Sequence, residues 1–393
     1  MALSDILDVD PIINAAGPVT RLSGSLMSDE VIAAMQEAAQ ACYDIAELQA
    51  AAGRVIAEVT DAEAGYVTSG AAAGLLLGVA ACVARLDPVA MNRLPDTTGL
   101  KNQVIMPRSH RNFYDHAIRS VGIELVEVGI SDRYSGAGVR DTEAWEIASA
   151  ITDKTAAIAY VANSNAQPPL AEITAVARER DVPVIVDAAG QLPPSANLKK
   201  FISEGAELVC FSGGKVIGGP QGTGSRCGRR DLISSAALQH LEQDVHFDLW
   251  SPPEDLIDKS SLPGAPQHGI GRPCKVGKEQ IAGLVTALKH FVETDEETRR
   301  SGWLQTVETL ADGLRELDCL SVRVFDRGAI PSLHVKLEKV NGKTMTRKLN
   351  ANRPGVHVNA SRVHEDVLVL NPVCLREGDT DRLIDVFRAM LAR

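Results

Sequence analysis

Lys215 stands in the segment Phe211-Ser212-Gly213-Gly214-Lys215-Val216-Ile217-Gly218-Gly219-Pro220-Gln221-Gly222-Thr223-Gly224, with six glycines between Ser212 and Ser225. Glycines add no bulk, so a flat ligand and the backbone can both approach the amine. The run before it, Glu207-Leu208-Val209-Cys210-Phe211, is short and apolar, the pattern of a buried strand. A lysine delivered this way is a solvated cation, a phosphate ligand, or an amine that condenses with an aldehyde. A nucleotide phosphate loop fails on spacing. It needs Gly at 209 and Ser or Thr at 216, and the chain has Val209 and Val216.

The aldehyde reading is pyridoxal phosphate (PLP), held by Lys215 as a Schiff base. That cofactor asks three further things of a protein, and the chain has a candidate for each. Asp187 ends the apolar run that starts at Val182. As a carboxylate beside the pyridine nitrogen it keeps that nitrogen protonated and the ring an electron sink. Thr68-Ser69-Gly70-Ala71 follows a short apolar run and opens residues 71–86, which are apolar on every face. A helix starting there has unpaired first-turn N–H groups, and its dipole favours an anion. A plain helix cap at Ser69 fits the same residues. Ser212, just before the lysine, joins the phosphate set. His110 ends the strand that begins at Gln103, where open α/β sheets place ligands, and offers a ring to stack on. Asn163, just past the apolar run 156–161, completes the cofactor set.

Apolar runs at 103–106, 124–128, 156–161, 182–186 and 207–211 alternate with helix-length segments. Such runs make a parallel sheet covered on both faces, an α/β architecture. Asp187 and Lys215 then emerge at one edge of adjacent strands. Residues 87–101 and 129–139 lack periodicity and read as loops. Helical spacing returns at 277–293 and 298–317. Short strands and a last helix after Asp379 follow, a small α+β domain. The expected division is 1–45, an N-terminal segment packing with the small domain; 46–285, the large domain; and 286–393, the small one.

A chain of 393 residues suits more than one core. The net charge of −11 argues against a broad nucleic-acid surface. Residues 71–86 are short for a membrane span and are closed by Arg85 and Asp87. The N-terminus has no basic region followed by an apolar core, so no signal peptide is expected. Seven cysteines are scattered without a C-x-x-C pair. Reduced thiols in a cytoplasm, and no metal site, are the expectation.

Three segments carry a family resemblance: Ile13-Asn14-Ala15-Ala16-Gly17, Ser212-Gly213-Gly214-Lys215 with Gly218-Gly219-Pro220-Gln221-Gly222, and Gly271-Arg272-Pro273-Cys274-Lys275-Val276-Gly277-Lys278. The chain resembles the fold-type I PLP enzymes. Within them it is similar to the group of selenocysteine synthase (L-seryl-tRNA selenium transferase) and D-glucosaminate-6-phosphate ammonia-lyase. The resemblance implies a fold-type I transferase fold, a mostly parallel seven-stranded sheet in the large domain, and a homodimer or larger assembly. It also implies that the active site lies between subunits, with Arg272 reaching a neighbour's phosphate.

The short N-terminal part and acidic balance favour a small-molecule amino-acid substrate over tRNA. The expected reaction is α,β-elimination from a hydroxylated amino acid such as a sugar amino acid, releasing ammonia and a 2-oxo acid. Lys215 is the expected general base, and Lys215, Asp187 and His110 the catalytic set. The substrate carboxylate needs a bidentate cation, with Arg376 the first choice and Arg21 the second. An ion pair with Glu377 or Asp379 accounts for Arg376 equally well. A racemase or aminotransferase, a transferase acting on seryl-tRNA, and a non-catalytic protein of this fold are the alternatives.

Overall fold

The computed structural model describes residues 3–130 and 142–391, so most of the loop expected at 129–139 lies outside the described residues. The chain divides into two units, Met27–Val292 and a second made of Met1–Leu26 with Glu293–Arg393. These limits replace the expected 45 and 285. Helix Asp29–Ala39 belongs to the larger unit, because Val31 is buried in that unit's core and Met35 packs against Gly283.

The larger unit is built on a seven-stranded sheet. From one edge its strands are Ala64–Thr68, Gly224–Gly228, Leu208–Ser212, Val184–Asp187, Thr155–Val161, Gln103–Pro107 and Glu124–Val128. The last five are mutually parallel. Gly224–Gly228 runs antiparallel to both of its neighbours. Sequence periodicity gives no sign of that strand. Gly-Ser-Arg-Cys-Gly has neither an apolar run nor clean alternation, and only pairing on both sides makes it a strand.

Two cores lie on the two faces of this sheet. One holds the helix Ala71–Ala84, whose Leu75, Leu77, Val79 and Ala80 are buried. The other holds Ile173, Leu198, Ile281, Leu284 and Leu288 from helices on the opposite face. A helix apolar all round needs cover all round, and helix Arg230–His240 packs on the outside of Ala71–Ala84. Residues 87–101 are not wholly loop: Pro88–Arg93 is a helix, capped by Asp87 and started by Pro88. Among the described residues no helix is long and apolar enough to cross a membrane.

In the smaller unit, strand Ile13–Ala15 pairs in parallel with Val356–Val358. Strands Leu320–Phe325, Ser332–Leu337 and Val367–Leu370 form an antiparallel sheet. Helices Glu296–Arg315 and Asp379–Leu391 pack on each other, and Leu310, Leu314, Leu383 and Phe387 fill the core with Leu333 and Val335.

Candidate active site

Strands Val184–Asp187 and Leu208–Ser212 are neighbours, with Asp187 level with Cys210. The chain then turns at Gly213 and Gly214 to present Lys215. Neither glycine tolerates a side chain. A Cβ on Gly213 would lie 2.3 Å from Thr223 Oγ1, and one on Gly214 would lie 2.4 Å from Gln221 Cα. The loop therefore folds back on its own second half, and this fixes where the lysine emerges. Its amine reaches the Asp187 strand end: Nζ is 3.7 Å from the Cβ position of Gly190.

Asp187 and Lys215 both keep part of their surface accessible. Burial lifts the Asp187 carboxyl above its ordinary value, opposed by the Ala189 amide and by the Lys215 charge. The Ala189 N–H donates to Asp187 Oδ1 at 3.0 Å. Burial draws Lys215 below the ordinary lysine value, opposed by Asp187. The pair thus mixes an amine eased toward its neutral form with a carboxylate in reach of its field.

The turn Thr68-Ser69-Gly70-Ala71 lies against the same glycine-rich loop. A Cβ on Gly224 would fall 2.6 Å from the Gly70 carbonyl carbon and 2.7 Å from the Ala71 nitrogen. Gly70, not Ser69, is the residue that caps helix Ala71–Ala84, at φ 93°. No side chain caps it, and the space where its own Cβ would stand is open to 4 Å. An accessible helix start with unpaired N–H groups and room beside it suits a phosphate. The two hydroxyls there are engaged. Buried Thr68 Oγ1 donates to Gly70 O at 2.9 Å and lies 3.3 Å from Gly224 O, which braces the turn. Ser69 Oγ donates to Cys274 O at 2.8 Å.

His110 is buried in a short turn after strand Gln103–Pro107. The Val161 amide donates to its Nδ1 at 3.2 Å, so the neutral ring carries its proton on Nε2. The ring meets Tyr160 edge-on, with centroids 4.7 Å apart. Ser212 ends its strand opposite Gly224. Asn163 is exposed and closes a local turn, its Oδ1 accepting from the Asn165 amide at 2.9 Å.

Arg272 is committed within its own unit. Its Nη1 donates to His240 O at 2.6 Å and its Nη2 lies 2.9 Å from Glu242 Oε2. It lines a cavity of about 600 Å³ with His240, Lys275, Leu249 and Trp250. Arg376 lies in the smaller unit, where its backbone amide and Nε reach Asp379 Oδ2 at 3.0 and 3.4 Å. The ion pair with buried Asp379 engages the Arg376 Nε and leaves 46 % of that side chain exposed. Arg21 is exposed in the turn Thr20–Leu22. Burial, and then the Arg21 charge, hold His357 below its ordinary value.

Two features had no readable signal in the sequence. Gly190 is where the Lys215 amine meets the Asp187 strand end, 3.7 Å from the Cβ position. A buried chain runs from Tyr66 Oη to His240 Nδ1 at 2.8 Å, and from His240 Nε2 to the Cys274 carbonyl that Ser69 also contacts. Both depend on which segments meet in space.

The family model for L-seryl-tRNA selenium transferase matches residues 12–249, which include the phosphate-type turn, Asp187 and Lys215. The chain belongs to the L-seryl-tRNA selenium transferase family. A 5'-C-glycyluridine monooxygenase-decarboxylase from Streptomyces sp is 31 % identical, across 96 % of this chain and 89 % of that protein. D-glucosaminate-6-phosphate ammonia lyase from Salmonella typhimurium is 28 % identical, across 95 % and 93 %. A solved D-glucosaminate-6-phosphate ammonia-lyase structure superposes with a TM-score of 0.81 at 26 % identity, covering 100 % of this chain and 98 % of that one. The family member described here has the fold-type I PLP-enzyme fold, and its relatives over nearly its whole length are enzymes.

Proposed function

We propose that this protein is a PLP-dependent lyase that removes ammonia from a hydroxylated amino acid carried on a sugar-type scaffold, leaving a 2-oxo acid. The observation that carries it is the end-to-end likeness to D-glucosaminate-6-phosphate ammonia-lyase in a chain that sets an amine beside a carboxylate at its strand ends. The residues present fit the cofactor. Lys215 would bind it, Asp187 would face its ring nitrogen, and the open start of helix Ala71–Ala84 would take its phosphate. Ser212, Asn163 and the Thr68–Ser69 hydroxyls belong to the same set. Thr68 and Ser69 act by holding the turn's shape. When bound, PLP supplies an electron sink for charge developed at the substrate Cα.

The chain's own groups do the rest. Lys215, eased toward neutrality by burial, takes the Cα proton and can pass it to the β-hydroxyl, which leaves as water. One water is taken up again when the C–N bond is hydrolysed to release ammonia and the 2-oxo acid. Burial raises the Asp187 carboxyl, while the Ala189 amide and the Lys215 charge favour its ionised form; facing a ring nitrogen, it would hold the proton there. His110 provides a buried ring with a defined tautomer beside the Asp187 edge. For the substrate carboxylate we keep Arg376 as first choice, since only the Nε of its guanidinium meets Asp379, and Arg21 as second. A homo-oligomer completed by Arg272 of a second copy, working in the cytoplasm, remains part of this reading.

The test is a panel of D- and L-hydroxylated amino acids, assayed for ammonia and 2-oxo acid. Stoichiometric release of both from one of them is expected. Activity on none of them would remove the lyase reading. The relative acting on 5'-C-glycyluridine supports a second reading, oxidative decarboxylation of a nucleoside-borne amino acid. Oxygen uptake with carbon dioxide release, in place of ammonia release, would select it.

A further inference from the structure

Arg226 lies in strand Gly224–Gly228 with 0 % of its surface exposed. Its Nε, Nη1 and Nη2 are all buried and hydrogen-bond to no group among the described residues. A guanidinium stays charged in proteins and can only donate. A lone buried charge is among the costliest things a fold can hold, so this one calls for a partner.

Among the described residues, the groups that act on it are thiols and a phenol. The register sets Arg226 level with Tyr66 on one side and Cys210 on the other. The Tyr66 hydroxyl is taken by His240. From above, helix Ala71–Ala84 comes close through two glycines one turn apart. A Cβ on Gly74 would lie 3.0 Å from Cys210 Sγ, and one on Gly78 would lie 3.2 Å from Arg226 Nη2. The groups whose charges bear on Arg226 are Cys210, Cys82, Cys227 and Tyr66, with no carboxylate among them. Burial pushes the thiols up, Cys82 to about 11 and Cys210 to about 12, so they keep their protons near neutrality.

We propose that Arg226 binds a small monovalent anion, chloride, inside the core between the sheet and helix Ala71–Ala84. The guanidinium N–H groups are unpaired there with thiols around them, and an anion supplies both an acceptor and the missing counter-charge. The proposal does not rest on the proposed function.

Crystals of the full chain grown in bromide should show an anomalous peak within hydrogen-bond reach of the Arg226 guanidinium. Density at that point without anomalous signal, or bromide only elsewhere, would overturn the proposal. In solution, replacing glutamate by chloride at equal ionic strength should raise the melting temperature by about 3 °C. Arg226→Met should abolish that rise. A variant that keeps the full chloride response would also overturn it. If the variant does not fold, the bromide measurement on the unaltered protein decides alone.

Discussion

Asp187 and Lys215 each oppose the shift that burial imposes on the other. Burial draws the lysine down and the carboxylate draws it back, while burial lifts the carboxyl and the lysine lowers it. Register alone places Asp187 one strand from the loop that carries the lysine. The amine covers the remaining distance to Gly190.

Lys215→Ala should therefore remove the visible absorption band of the lysine-bound cofactor and lower turnover by about 10³-fold or more. A spectrum of the purified variant checks the first. An unchanged band would mean that a different lysine holds the cofactor.

Asp187→Asn removes the charge that raises Lys215. The lysine then loses its proton at a lower pH than in the parent protein. With the cofactor stripped, the rate of condensation with added pyridoxal should reach half its plateau at lower pH. Turnover of the loaded variant should nevertheless fall, on the order of 10²-fold, because an amide does not keep the ring nitrogen protonated. A condensation profile displaced to higher pH would contradict the pairing.

Gly70 and Gly224 meet in the turn, but substitution there should fail in different ways. Gly70→Ala has space for its methyl yet must hold φ near 93°, a strain of about 1 kcal/mol. Gly224→Ala drives its methyl into the Gly70–Ala71 backbone. Cofactor affinity should drop about tenfold or more for Gly224→Ala and less for Gly70→Ala. Titration of the stripped variants with PLP ranks them.

None of the seven cysteines is in a disulfide, and only Cys42 is exposed. A chromogenic disulfide reagent should label Cys42 first in the native protein. Cys274 and Cys319 should follow, and Cys82, Cys210, Cys227 and Cys374 should react only on unfolding. Two or more thiols reacting together at the fastest rate would contradict the packing.

Much of the large unit is legible along the chain. Continuous apolar runs mark strands buried on both faces, so five parallel strands and the all-apolar helix after Gly70 follow from local pattern. Strand Gly224–Gly228 does not, because a glycine-flanked segment becomes a strand only between two partners. The limit at Leu26 does not either, since helix Asp29–Ala39 carries an ordinary amphipathic pattern that says nothing of which core receives it.

The candidate site divides in the same way. Residue type and order along the chain already single out Lys215, Asp187 and the Thr68–Ala71 turn, because that chemistry needs an amine, an acid and an anion cradle. Which hydroxyls are free, that Arg376 is bound to Asp379, that Gly70 caps its helix in place of Ser69, and that a guanidinium lies unpaired in the core were decided by tertiary structure alone. A hydrogen bond or a buried charge belongs to two segments at once, and neither segment carries the other's position.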